Sequence, residues 1–305
     1  MDGLLVIDKP AGPTSHDVVA RMRRVLGERR IGHTGTLDPN ASGVLPLVIG
    51  RATRLAKFLS GGSKTYEAVV RLGIATDTYD SDGSLTGAAW SGPLPSRETI
   101  ESALGAFRGA FMQQPPIYSA KKIDGERSYN IARAARSAGP GYPALPTYPA
   151  PVEVTVHSLA LLALEGEEVT LRVECSAGFY VRALAHDLGK RLGVGAHLSA
   201  LRRTQSSGLT LDDATPLEFA ERSREDALDA LLPMESMLPQ FASVVLNDET
   251  LLKALHGRNF SATPLTSLTG PLTGPVRLVD QAGQLVGIGE PTGVPGVLHP
   301  AVVLR

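Results

Sequence analysis

Leu4-Leu5-Val6-Ile7 is an unbroken apolar run that ends at Asp8-Lys9-Pro10-Ala11-Gly12-Pro13, which reads as a strand closed by a turn. Val18, Val19, Met22, Val25 and Leu26 then recur at helical spacing, predicting a helix with Ser15 as N-cap and Gly27 as its stop. A strand over Val44–Ile49 and a short helix from Ala52 to Leu59 follow. Thr65–Leu72 alternates, so Tyr66, Ala68, Val70 and Leu72 share one face of a strand. Ser96 caps a helix that runs to Phe107. Ser128–Ala135 predicts another, bearing Arg133 with Arg136 just beyond, and the proline-rich stretch Pro140 to Pro151 an exposed connection. Strands are predicted over Val152–Leu162 and Glu168–Cys175, then a helix near Tyr180–Arg191 with Arg182 one turn from His186. Val194–Arg203 ends in basic residues. Leu217 to Leu232 reads as an acidic helix, with Pro233 and Pro239 marking a linker. The last roughly sixty residues read as short strands between Gly- and Pro-rich turns, as in a small β-barrel.

The 305 residues suffice for one large domain and a small one, and a 43% hydrophobic share supplies a core. The formal net charge is −1, so no strong overall field singles out a partner. The bases are nevertheless clustered. Arg21, Arg23, Arg24, Arg29, Arg30, Arg51, Arg54, Lys57 and Lys64 crowd the N-terminal part, and Lys190, Arg191, Arg202 and Arg203 form a second group. Such clusters suit either an anionic partner met by one face or solvated helix surfaces. The single cysteine, Cys175, lies in an alternating apolar run and reads as a small buried residue. The opening strand lacks the features of a signal peptide and no apolar run reaches membrane-spanning length, so a soluble cytoplasmic protein is expected.

Chemistry concentrates in Gly32-His33-Thr34-Gly35-Thr36-Leu37-Asp38-Pro39-Asn40-Ala41-Ser42-Gly43. Three glycines shape a loop that lets backbone approach a ligand, and Pro39 pushes Asp38 into an extended conformation. One acid held on such a loop, with no second acid nearby in sequence, suits a lone nucleophile. A surface turn in which Asp38 caps a helix fits the same letters.

Other candidate motifs fail. Thr76–Gly83 resembles a calcium loop, but Thr78 would stand at the first ligand position and Ala89 replaces the closing Glu. Gly62-Ser63-Lys64-Thr65 breaks the order of a phosphate-binding loop, and Ser119 with Lys122 matches Ser-x-x-Lys without companion motifs. A hydrolase metal site built on Asp38 lacks any ligand grouping at plausible spacing.

Gly32 to Pro39, followed by Ala41, Gly43, Val44, Leu45 and Pro46, resembles the signature of TruB-type tRNA pseudouridine synthases. So do the opening Leu5 to Gly12, Lys64-Thr65-Tyr66 and the turn from Gly73 to Gly83. Pro115 to Lys122 with Gly125, Arg127 and Tyr129 is similar to the family's middle insertion. Cys175-Ser176-x-Gly178-x-Tyr180-x-Arg182, Asp187-Leu188-Gly189, Ala196-His197-Leu198 and Leu201-Arg202-Arg203-Thr204 continue the resemblance in order. It covers residues 2–210. The tail from Val244 is similar, more loosely, to a PUA domain. One departure stands at Pro151-Val152, where family members often carry an arginine.

The resemblance implies an α+β pseudouridine synthase fold, a mixed and mainly antiparallel sheet flanked by helices. The catalytic domain would span 1–238, with an RNA-binding insertion at about 100–150, and a PUA-like RNA-binding barrel 243–305. It implies isomerisation of a T-loop uridine, position 55 of tRNA, with no cofactor or metal, in a monomer needing no protein partner. Asp38 matches the family's nucleophile and Arg182 the arginine that pairs with it. Tyr66 and Tyr180 match the active-site tyrosines, which stack on the flipped uracil, Tyr66 being also a candidate for removing the C5 proton. Leu201 matches an apolar wall of the uracil pocket, with Leu37, Val44 and Leu45 helping to exclude water. His33 matches a histidine that contacts RNA, and Lys9 and Lys64 suit phosphate or fold contacts. Taken alone, each tyrosine and Leu201 suit the core, Arg182 a helix surface and His33 an ordinary loop. Whether Asp38 attacks C1′ or C6, or assists a glycal route, is left open. A tRNA-binding or folding module without catalysis is the alternative, although binding alone would not require Asp38, Tyr66, Tyr180 and Arg182 together.

Overall fold

The computed structural model describes residues 1–119, 121–123, 125–128, 131, 149–262 and 274–304. The expected Arg133, Arg136 and Tyr129, and most of the proline-rich connection, lie outside the described residues. The strands in chain order are β1 (Gly3–Lys9), β2 (Ile31–His33), β3 (Ala41–Ile49), β4 (Lys64–Leu72), β5 (Gly109–Gln113), β6 (Lys122–Ile123) and β7 (Glu126–Arg127). Then come β8 (Val152–Glu165), β9 (Glu168–Cys175), β10 (Ala196–Ser206), β11 (Leu209–Thr210), β12 (Thr215–Pro216) and β13 (Leu231–Leu232). The C-terminal part adds β14 (Ser243–Val245), β15 (Phe260–Ser261), β16 (Val276–Val279), β17 (Leu285–Pro291) and β18 (Val297–Val303). Helices are α1 (Ser15–Leu26), α2 (Ala56–Ser60), α3 (Arg97–Leu104), α4 (Val181–Leu192), α5 (Leu217–Ala220), α6 (Arg224–Asp229) and α7 (Asp248–Leu255). Among the described residues no helix is long and apolar enough to cross a membrane.

The chain forms two compact units. One comprises Met1–Asp38, Val44–Ser60 and Leu211–Arg305, the other Pro39–Gly43 and Gly61–Thr210.

In the first unit β1 is buried along almost its whole length and pairs with β12 in parallel and β13 in antiparallel fashion. α1 buries Val18, Val19, Met22 and Leu26 and stops at Gly27, whose φ of 64° is the left-handed conformation a glycine C-cap supplies. Its N-cap is Thr14 rather than the expected Ser15. Thr14 accepts from the Asp17 N–H while the Asp17 carboxylate accepts from the Thr14 N–H, a capping box. The expected single acidic helix over Leu217 to Leu232 is broken in three. Ser223 caps a fresh helix, α6, by accepting from the Asp226 N–H, and Leu231-Leu232 leave the helix to pair with β1. The expected linker is packed, with Met234, Met237 and Leu238 buried.

The C-terminal strands form a sheet in the order β14-β16-β17-β18-β15, antiparallel except for β14 with β16. α7, capped by Asn247 and absent from the expected all-strand tail, packs on this sheet and adds Ala254 to its core of Val244, Phe260, Leu278 and Leu298.

In the second unit the strand order is β10-β4-β9-β8-β5, antiparallel throughout, and the first three residues of β3 run parallel to β10. β4 is an interior strand of this sheet, paired with β10 on one side and β9 on the other. Lys64, Tyr66, Ala68, Val70 and Leu72 face its core, as the alternation requires. α4 packs against β10 and α3.

Candidate active site

The loop before Asp38 is held from α1. Ser15, fully buried, donates its hydroxyl to the Leu37 carbonyl at 3.0 Å and accepts from the Leu37 N–H at 2.8 Å. Both backbone groups of the residue preceding Asp38 are thereby satisfied by one side chain, in a segment that has no strand partner for them. Leu37 itself is 3% exposed. The next residue of α1, His16, packs edge-on against His33 with ring centroids 5.3 Å apart. Thr34 N–H donates to the Pro46 carbonyl, tying the start of the loop back to β3. Asp38 is half-buried.

The far end of the signature belongs to β3 instead of a loop. Ala41, Ser42 and Gly43 pair in parallel with Leu201, Arg202 and Arg203 of β10. Gly43 has φ 102°, and a Cβ there would lie 2.1 Å from the Arg203 carbonyl oxygen, so the two backbones meet only because the residue is glycine. Asn40 donates to the Asp82 carboxylate at 2.6 Å.

Asp82 belongs to the turn over Thr76–Gly83, whose carboxylates serve the protein itself. Asp77 accepts from the Ser84 N–H, Asp82 N–H donates to Asp80, and the Thr78 hydroxyl donates to Asp80. Asp80 in turn faces Arg182, with Nη1 to Oδ2 at 3.4 Å. Arg182 also donates to the Thr78 carbonyl at 3.1 Å and the Tyr118 carbonyl at 3.0 Å. It is 7% exposed, so it is no surface helix charge. Burial raises the Asp80 carboxyl above its ordinary value, and the Thr78 hydroxyl and the Arg182 guanidinium counter this only in part. Between Thr78 and Asp80, Tyr79 holds φ 66° and stacks on His186 at 3.8 Å.

Tyr66 is 9% exposed on β4, opposite Arg203 on one side and Val173 on the other. Leu201 pairs with both Ala41 and Ala68 and remains half-buried, which leaves it part of a surface. Tyr180, also half-buried, is the N-cap of α4, and its backbone is bonded to the side chain of Gln113. Leu37, Val44 and Leu45 are buried.

Lys9 and Lys64 belong to the fold. Lys9, fully buried, donates to the Pro10 and Pro13 carbonyls and ties the turn after β1. Lys64 donates to the Gly62 carbonyl at 2.6 Å, and burial beside the Arg203 charge pushes its ammonium down to about 8. Cys175 is buried and its thiol is pushed up to about 12 by desolvation, consistent with a small core residue. Much of the N-terminal basic cluster is likewise spoken for. Arg51 is paired with Asp2 and donates to the Leu304 carbonyl, Arg54 donates to the Val303 carbonyl, and Lys57 lies 3.6 Å from Glu290. Arg23 donates to the Ile31 carbonyl and Arg21 pairs with Glu221.

Residues 23–181 match the family model described as TruB family pseudouridylate synthase (N terminal domain), and residues 182–239 the tRNA pseudouridylate synthase B C-terminal domain. The chain belongs to the TruB family of pseudouridylate synthases. It is 47% identical to the tRNA pseudouridine synthase B of Solibacter usitatus (strain Ellin6076) over the full length of both chains. Identity to the protein of the same name from Geobacillus thermodenitrificans (strain NG80-2) is 41%, again over both full lengths. Among solved structures, a chain in the crystal structure of a Cbf5-Nop10-Gar1 complex superposes with TM-score 0.76 at 27% identity, covering 99% of this chain and 85% of that one. A chain from an H/ACA RNP bound to a substrate RNA containing 2′-deoxyuridine superposes with TM-score 0.72 at 25% identity, covering 99% and 85%. The TruB blocks seen in the sequence thus fall on a TruB chain. The residues that sequence reasoning passed over are those that hold the matched ones: Ser15, Asp80, Gln113 and Tyr118. Each acts through a contact tens of residues away along the chain, which local spacing does not reveal.

Proposed function

We propose that this chain converts uridine-55 in the T loop of tRNA to pseudouridine, with Asp38 as nucleophile. The observation that carries the reading is the bracketing of Leu37 by Ser15, which holds the backbone immediately before the family's aspartate position in a chain that matches a tRNA pseudouridine synthase B along its whole length.

The reaction is an isomerisation. The bond from C1′ to N1 breaks, the uracil turns over, C1′ bonds to C5, and the C5 proton leaves while N1 gains one. No redox partner or phosphoryl donor enters this balance. The target base must first leave its stack, and aromatic faces replace its lost neighbours. We assign that role to Tyr66 and Tyr180, with Leu201 as an apolar wall and Tyr66 also as a candidate acceptor for the C5 proton. Arg182 is assigned to orient the Asp38 carboxylate, since a guanidinium offers donors in a fixed fork. His33 is assigned to the RNA near the extruded base. The T arm is taken as the recognised element, and residues 243–305 as a PUA-like RNA-binding module appended to a catalytic domain of residues 1–238. The acting species is taken as a cytoplasmic monomer without a protein partner.

The test is incubation of the full chain with an unmodified tRNA transcript, followed by carbodiimide labelling and primer extension. A single new stop, one nucleotide 3′ of position 55, is expected. Bound tRNA without any stop would instead leave a tRNA-binding or folding module.

A further inference from the structure

Gln113 is the last residue of β5, and only 2% of it is exposed. Its side-chain amide makes two hydrogen bonds to one distant residue. The Tyr180 N–H donates to Oε1 at 2.8 Å, and Nε2 donates to the Tyr180 carbonyl at 3.0 Å. The pairing fixes the amide's orientation, because an N–H can only donate and a carbonyl only accept. The amide therefore acts as a neighbouring strand would, occupying both backbone groups of a residue in extended conformation, φ −110° and ψ 108°.

The Tyr180 carbonyl also accepts the first helical bond, from the Leu184 N–H at 3.2 Å, whereas its N–H stands before the helix and is met by Gln113. Tyr180 is the N-cap of α4 but has no capping hydrogen bond from its own side chain. The residue three positions on, Ala183, has no side-chain acceptor to return to the Tyr180 N–H, as a capping box would. Phe111, two residues before Gln113 and so on the same face of β5, meets Phe179 edge-on with ring centroids 6.4 Å apart. β5 thus grips both residues that lead into α4.

We infer that Gln113 is a positioning residue for the isomerisation, setting the direction of the Tyr180 ring and the start of the helix that carries Arg182. This rests on the synthase reading above. Holding both peptide planes that flank the Tyr180 Cα fixes the direction of its Cα–Cβ bond. Arg182 is the second residue of α4, so the same clamp sets where its guanidinium begins. The segment following Gln113 adds to this grip, since the Tyr118 carbonyl accepts from Arg182 Nη2.

The decisive variant is Gln113→Glu. Its carboxylate can accept from the Tyr180 N–H but cannot donate to the Tyr180 carbonyl, and it sets two acceptors against each other. Protonation restores the donor. Single-turnover tritium release from tRNA labelled at uridine C5 should therefore be slowed about 10- to 100-fold at high pH, as misplacement of a site group produces. Relative to wild type it should recover as pH falls from about 8 to about 6, the range into which burial lifts a carboxyl. Gln113→Ala should be slow at every pH, with tRNA affinity by filter binding unchanged. If the ratio of Gln113→Glu to wild type is flat with pH while melting temperatures fall, Gln113 only supports the fold and the inference is overturned. Should Gln113→Ala fail to fold, the pH series of Gln113→Glu decides alone. Wild-type protein that binds tRNA and releases no tritium would overturn the synthase reading itself, an outcome distinct from any effect of the variants.

Discussion

The hydroxyl of Ser15 closes a two-bond bracket around Leu37, accepting from its N–H and donating to its carbonyl. A helix residue thus supplies the backbone partners that the loop lacks, one position before Asp38. Ser15→Ala leaves both groups buried and unpaired, each costing about 1–3 kcal/mol. Urea unfolding should show that loss, and turnover should fall while tRNA binding is retained. Unchanged turnover in the folded variant would mean that the bracket does not matter for Asp38.

Gly43 of β3 lies directly against the Arg203 backbone of β10. The Gly43→Ala variant would place a methyl 2.1 Å from the Arg203 carbonyl oxygen at φ 102°. Strained backbone alone costs about 1–3 kcal/mol, and the displaced β10 adds to it. A clear drop in melting temperature, with turnover lost at least in proportion, is expected by calorimetry and tritium release.

Asp80 stands against the buried Arg182 and takes the Thr78 hydroxyl. Asp80→Asn keeps an acceptor for Thr78 but removes a counter-charge from a guanidinium that is nearly out of water. Arg182 keeps its two carbonyl acceptors, so stability should fall by about 1–3 kcal/mol, the cost of one lost buried partner, and kcat should fall more than KM rises. A rise in KM alone would place Arg182 in uniform substrate binding.

Lys64 gives a pH signature. Its folded value, about 8, lies below its ordinary 10.5 because burial and the Arg203 charge disfavour the ammonium. Between those values the unfolded chain holds a proton that the folded chain has lost, so stability rises with pH. The contribution is complete above 10.5 and gone once pH falls through about 8. The stability of wild type relative to Lys64→Met should therefore grow from pH 8 to pH 10 in urea titrations. A flat or falling difference would contradict the buried ammonium.

Elements whose signal is local were legible in the sequence. The alternation of Tyr66, Ala68, Val70 and Leu72 marks the buried face of β4, and Gly27 ends α1 where expected. Capping was misread where two candidates adjoin. Thr14 with Asp17 forms the box, which frees Ser15 to reach Leu37. The acidic run from Leu217 looked continuous because charge and apolar spacing persist across Ser223, although that serine restarts the helix. The contacts of the clustered bases were not legible either: Arg51, Arg54 and Lys57 reach Asp2, Glu290 and the carbonyls of Val303 and Leu304. The residues proposed for the site were named by their resemblance to family motifs, and the residues that contact them were not. Gln113 to Tyr180 and Ser15 to Leu37 are side-chain to backbone bonds spanning 67 and 22 residues, and no periodicity encodes them.

The central claim is that Asp38 performs the chemistry, and tritium release from tRNA labelled at uridine C5 tests it most directly. Wild type and Asp38→Asn should bind the tRNA alike, with release abolished only in the variant. Release by Asp38→Asn at the wild-type rate would contradict the account.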